Sequence, residues 1–154
     1  VFLLAAILWF GMLFVGGVKG KIITLTFIAG LAYVLTFIDG VAPISKFQTT
    51  FQFPSEFAAN PNTFWNGMYI ISQQINWQGA AAWAMFIFGA FKRKPWAVPV
   101  GIFAAAMSMI GGYPLGIHNM TEVKRFSMFL PAPILSTGLL IYLLLPSTKK
   151  MIES

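Results

Sequence analysis

The sequence predicts an all-α fold: a polytopic integral membrane bundle of about five transmembrane helices. Three observations predict it. Of the 154 residues, 58% are hydrophobic and only 9% are charged, against about 45–50% and about 25% in ordinary soluble domains. The mean hydropathy is +0.77. The charges fall almost entirely in the gaps between five uncharged apolar runs. A water-soluble fold of this size still exposes much of its surface, so it could not hide this much apolar material. The same composition excludes intrinsic disorder. The runs are continuous rather than alternating, which argues against a β-barrel.

The first run covers 1–18. It lacks the charged leader and small-residue cleavage pattern of a signal peptide, so it reads as a retained helix. The second covers 22–38 and is followed directly by Asp39. An outer connection, 40–63, comes next. Pro43, Pro54 and Pro61 forbid one continuous helix there. Its Phe47, Phe51, Phe53 and Phe57 are costly in open water. They are expected to lie in the bilayer interface or to cap the bundle. A docking surface for another subunit is the sharper alternative.

The third run is placed at 72–91. A helix begun at Phe64 would extend about 42 Å and overshoot the hydrocarbon core. Counting about 20 residues back from the basic cluster after Phe91 reaches Ser72. Ser72, Gln73, Gln74, Asn76 and Gln78 then open the helix at the outer boundary. At about 100° per residue, Gln74 and Gln78 share one face, and Gln73 and Asn76 another. That spread suits an interfacial segment. In the functional alternative, one pair faces the bundle and hydrogen-bonds a ligand such as a quinone-like head group.

The fourth run, 97–113, carries a stripe of small residues: Gly101, Ala105, Ser108 and Gly112. Such a stripe lets helices approach closely in lipid, where packing drives association. Packing against the third helix is expected; a seam for another chain is the alternative. The fifth run, 126–145, contains Pro131 and Pro133, expected to kink it near its outer end. Trp65, Trp77 and Trp96 suit interfacial belts. No internal repeat or second domain is apparent, so 1–154 reads as one transmembrane unit.

With five crossings the charges separate. Lys19, Lys21, Lys92, Arg93, Lys94, Lys149 and Lys150 fall on one side, with Glu153. Lys46, Lys124 and Arg125 fall on the other, balanced by Asp39, Glu56 and Glu122. The net charge of +6 is thereby accounted for as cytoplasmic-side bias. This predicts the N-terminus outside and the C-terminus inside, and no nucleic-acid partner is required.

Residues able to carry chemistry are few. Cysteine is absent and histidine occurs once. This excludes disulfides, thiolate metal sites, iron–sulfur clusters and cysteine nucleophiles, and weakens any histidine-based metal centre. No P-loop, Rossmann glycine fingerprint, HExxH or GxSxG pattern is present. No catalytic or metal-binding set is therefore assigned. Asp39 is expected as a carboxylate at the outer interface near Lys46; its functional reading is a proton or cation site. His118 and Glu122, four apart, would share a face if that stretch were helical. Gly111, Gly112, Pro114 and Gly116 instead predict a loop before them, with Glu122 paired to Lys124 or Arg125. Asn119-Met120-Thr121 matches a glycosylation sequon. The ligand-binding candidates are Gln74, Asn76, Gln78, Asp39, His118 and Glu122.

Three functions compete. The first is a non-catalytic subunit packed within a larger membrane complex of respiratory, photosynthetic or oxygenase type. Its partners are the bilayer and other subunits, and any lipid, quinone or pigment comes from that complex. The second is a small oligomeric transporter or channel protomer with a polar path through Asp39, Gln74, Asn76, Gln78, Ser108 and Thr137. The third is a membrane enzyme using Asp39, His118 and Glu122.

Overall fold

The computed structural model describes residues 2–41, 61–123 and 129–154. The phenylalanine-bearing connection, with Lys46 and Glu56, lies outside the described residues, as do Lys124, Arg125 and the side chain of Glu122. All regular structure among the described residues is helical. In order the helices are α1 (Phe2–Met12), α2 (Val18–Val41), α3 (Pro61–Phe91), α4 (Ala97–Val123), α5 (Pro131–Leu143) and α6 (Pro146–Glu153).

The first apolar run yields a helix of only 11 residues, about 16 Å long. Leu13 and Phe14 close a tight turn by donating to the Phe10 and Gly11 carbonyls at 3.1 and 3.0 Å. Gly16 then takes φ +126°, a conformation that a Cβ makes costly, and the chain reverses into α2. Helix α2 starts earlier than the apolar run, taking Lys19 and Lys21 into its first turn, and it also encloses Asp39.

Helix α3 begins at Pro61 rather than at Ser72 and runs for 31 residues, about 46 Å. Proline suits a first helical position, where its missing N–H has no intrahelical partner to lose. The amide-rich segment therefore sits in mid-helix. Helix α4 continues through Gly111, Gly112, Pro114 and Gly116 to Val123, so the loop expected before His118 is helix. These glycines are contact points: a Cβ on Gly112 would lie 2.6 Å from Pro133 Cγ, and one on Gly116 2.5 Å from Leu130 Cδ2.

Pro131 and Pro133 do not kink a helix, because α5 starts at Pro131 and both lie in its first turn, where proline is tolerated. The break comes at the other end. Helix α6 is bent 79° from α5. The Thr148 hydroxyl donates to the Tyr142 carbonyl at 2.7 Å across this elbow, and the Tyr142 hydroxyl to the Leu13 carbonyl at 3.3 Å.

Helix α3 packs between α2 and α4, and α4 in turn packs against α5. The core is built on Trp83 and Phe86 of α3, Leu25 and Ile28 of α2, and Leu139 and Leu143 of α5. The outer surface is also apolar. Ile23, Phe27, Leu31, Val34 and Ile38 form an exposed stripe along α2; Phe103, Ile110 and Ile117 do so on α4. Among the described residues, α2 and α4 are long and apolar enough to cross a membrane, and the bent α5–α6 pair makes a third if it is taken as one span. Helix α3 has the length, but its amides lower its mean hydropathy below that of a simple span. Among the described residues, basic side chains gather at one end of the bundle: Lys19 and Arg93 line one cleft, and Lys21 lines another with Tyr142 and Ser147.

Candidate functional site: a polar layer between α2, α3 and α4

A helix that is polar on one strip and apolar elsewhere must bury that strip to live in lipid. In α3 the strip is Ser72, Gln73 and Asn76, all buried, whereas Gln74 and Gln78 are exposed. Of the two amide faces legible in the sequence, the Gln73–Asn76 face turns inward. Helix α2 meets it with Thr36 and Asp39, and α4 with Ser108 and Gly111. Fifteen residues separate Asn76 from Phe91, and fourteen separate Gly111 from Ala97. The layer thus stands about 21–23 Å from the basic end of the bundle.

Its lower half is internally satisfied. The hydroxyls of Thr36 and Ser108 are hydrogen-bonded at 2.9 Å, and Trp83 Nε1 donates to Ser108 Oγ at 3.1 Å. Gly79 lets these helices close: a Cβ there would sit 3.2 Å from Met107 Cβ and 3.3 Å from Thr36 Cγ2.

The upper half is not. Ser72 Oγ donates to the Gly111 carbonyl. Asp39 is only 3% exposed and Asn76 1%, yet among the described residues Asp39 Oδ2 and both polar atoms of the Asn76 amide have no hydrogen-bond partner. The Asn76 amide lies against the bare α-carbon of Gly111, in space a Cβ would occupy. At Gly40, next to Asp39, a Cβ would make only ordinary contact with α3, 3.5 Å from the Trp77 nitrogen and 3.7 Å from the Asn76 carbonyl carbon. Buried polar atoms are nearly always paired, since leaving one unpaired costs about 1–3 kcal/mol. An ionised carboxylate in such a place requires a cation or several donors beside it. The layer therefore holds an unpartnered carboxyl oxygen on α2 and an unpartnered amide on α3.

The other candidates are distributed differently. Asp39 is not at an open interface but inside the bundle, and its expected neighbour Lys46 lies outside the described residues. His118 is half-buried and stacks on Trp65, ring centroids 3.5 Å apart and planes 7° apart. Thr121 Oγ1 donates to its carbonyl at 2.7 Å. Seven residues of α4 separate His118 from Gly111, about 10 Å, so Asp39 and His118 are not brought together. No group of three potential metal ligands occurs among the described residues. The small stripe of α4 is spent within the chain: Gly101 against Phe86 and Leu143, Ser108 against Thr36 and Trp83, Gly112 against Pro133, with Ala105 fully buried. Thr137 bonds Tyr113 at 2.7 Å on the α4–α5 side, away from the layer.

The sequence alone puts Gln74 and Gln78 on a par with Asn76 and does not single out Thr36, Ser72, Gln73 or Gly111 as ligand-site residues. The usable signal was the i, i+3, i+7 progression Asn76, Gly79, Trp83, which marks the face that meets other helices. No protein-family model matches the chain, and no curated protein or solved structure matches it either.

Proposed function

We propose that this chain is a multi-pass membrane protein that binds a proton or a small monovalent cation at Asp39, acting as a small transporter or channel protomer. The observation that carries this reading is the pair of buried, unpartnered groups, Asp39 and Asn76, enclosed by two helices able to cross a membrane. Intramembrane acids are rare and expensive, and are retained mainly on ion and proton paths. The Asn76 amide is the natural co-ligand, because its oxygen accepts a cation and its nitrogen donates to the carboxylate.

The test is proton and Na⁺ flux into proteoliposomes, with melting in detergent measured in Na⁺, K⁺ and choline salts. The wild type is expected to conduct one of the two ions, and that ion to raise its melting temperature. Asp39→Asn is expected to abolish both effects while folding normally, since it removes only a charge. Flux at the level of empty vesicles, with no ion-dependent melting, overturns the reading.

The topology that goes with it sets the seven basic residues at the ends of α2, α3, α4 and α6 in the cytoplasm, with α2, α3, α4 and the α5–α6 pair crossing, whereas the 11-residue α1 falls short of the fifth crossing expected from the sequence. The amide-bearing half of α3 can cross because α2 and α4 cover its Gln73–Asn76 face, with the exposed Gln74 and Gln78 left toward the outer boundary. The chain has no cysteine, so single introduced thiols report cleanly. Lys21→Cys, Lys92→Cys and Lys150→Cys are expected to label with an impermeant maleimide from the inner side only, and Asn119→Cys from the outer side only. Labelling of Lys21→Cys and Lys92→Cys from opposite sides overturns the topology.

A second reading, a subunit of a larger complex, is favoured by α1. Leu4, Ile7 and Leu8 are each about 60% exposed, and the helix is held by Trp9 on Phe27 and by Phe10 against Gly138. A stoichiometric partner retained in mild detergent would support it; lipid, quinone or pigment would then belong to the assembly.

A further inference from the structure

Between α2 and α3 runs an open groove of about 510 Å³, within the roughly 300–1,000 Å³ typical of small-molecule sites. Ile23 and Phe27 form one wall, Ile87 and Phe88 the other, and Ala84 leaves the floor low. Thr26 is the one polar side chain along it, and its hydroxyl is spent on the Ile22 and Ile23 carbonyls at 3.0 and 2.9 Å. The groove is therefore chemically an alkane slot. At the basic end it continues, through the shared Ile23 and Phe91, into a smaller cleft lined by Lys19 and Arg93. Among the described residues no acid lines either part.

Arg93 stands at an unusual backbone position. The Lys94 N–H donates to the Gly89 carbonyl at 2.8 Å and the Arg93 N–H to the Ala90 carbonyl at 3.1 Å. This is the paired closure that ends a helix through one left-handed residue, usually glycine. Arg93 occupies that place at φ +53°, where a side chain is disfavoured. A guanidinium is thus held at the groove mouth at the expense of the turn's preferred residue.

We infer that this groove is a binding site for an anionic phospholipid, its acyl chain lying along Ile23, Phe27 and Phe88 and its phosphate between Lys19 and Arg93. Charge complementarity selects the occupant. A zwitterionic lipid would satisfy the slot but bring its own cation to two basic side chains, and an anion without a tail would leave the slot uncovered. The inference needs only that the bundle resides in lipid and is independent of Asp39.

The test is native mass spectrometry of the purified chain with dioleoyl phosphatidylglycerol, dioleoyl phosphatidylcholine or inorganic phosphate. Phosphatidylglycerol is expected to be retained about tenfold more than phosphatidylcholine, in line with two basic groups at an anionic head group. Arg93→Gly and Lys19→Gln together are expected to erase that preference. Arg93→Gly relieves the left-handed arginine, so its melting temperature should equal or exceed that of the wild type, which separates lost binding from lost folding. Ala84→Trp, filling the slot with the charges intact, is expected to lower retention of both lipids. Equal retention of the two lipids by the wild type overturns the proposal. So does a preference that survives the charge variants, undiminished retention in Ala84→Trp, or displacement of phosphatidylglycerol by inorganic phosphate.

Discussion

Trp83→Ala is expected to destabilise the bundle by about 3–5 kcal/mol, the range for removing a fully buried large aromatic. Trp83 is completely enclosed. Its ring lies edge-on to Phe86 at 5.6 Å, and its Nε1 bonds Ser108. Two effects compete to explain the loss, and Trp83→Phe separates them. That change keeps most of the apolar ring but removes the donor. Ser108 Oγ retains Thr36 as partner, so no group is left orphaned, and the cost should be about 1 kcal/mol for one hydrogen bond plus a modest packing defect. Thermal melting of the two variants in one detergent checks the ordering. Equal losses would mean that the hydroxyl–indole chain, rather than packing, holds α3 to α4.

The second large effect is expected at Gly112. A methyl group there would come within 2.6 and 2.7 Å of the Pro133 ring and 3.1 Å of the Phe129 carbonyl oxygen. The ring cannot rotate away, and the carbonyl belongs to the backbone entering α5. Gly112→Ala must therefore push α5 off α4, at about 1–3 kcal/mol for an overpacked contact. Gly30 is the control. It too lies in mid-helix, but nothing stands within 4 Å of its would-be Cβ. Gly30→Ala should be neutral or stabilising by up to about 1 kcal/mol, through helix propensity alone. A similar loss at both positions, measured by melting, would refute the contact argument.

The helices that were legible in the sequence are those whose apolar character does not depend on neighbours. Helices α2 and α4 each hold a long stretch without charge, and lipid is sufficient explanation for it. The misplaced boundaries lie where a residue's meaning is tertiary. Ser72 to Gln78 looked like a membrane edge because amides favour water, but their inward face is covered by Thr36, Asp39, Ser108 and Gly111. Gly111, Gly112 and Gly116 looked like loop residues because glycine weakens an isolated helix. Packed against Asn76, Pro133 and Leu130, the same missing side chains allow close approach. Pro114 is carried on an exposed part of α4. Asp39 looked like a terminator because it follows the apolar run, but Gly40 and Val41 extend α2 past it and bring it under cover. For the site, periodicity could pair Gln73 with Asn76 and Gln74 with Gln78, but only the positions of α2 and α4 decide which pair points inward.

The elbow after α5 sets a local thickness. Thirteen residues rise about 20 Å, roughly 10 Å short of an average hydrocarbon slab. Past the elbow the chain turns sideways, with Met151 and Ile152 buried and the two neighbouring lysines exposed. In a bilayer crossed by α5, acyl chains beside this flank would have to compress to match it. The protein would then carry its own dimple in the leaflet, drawn toward thin membranes and strained in thick ones.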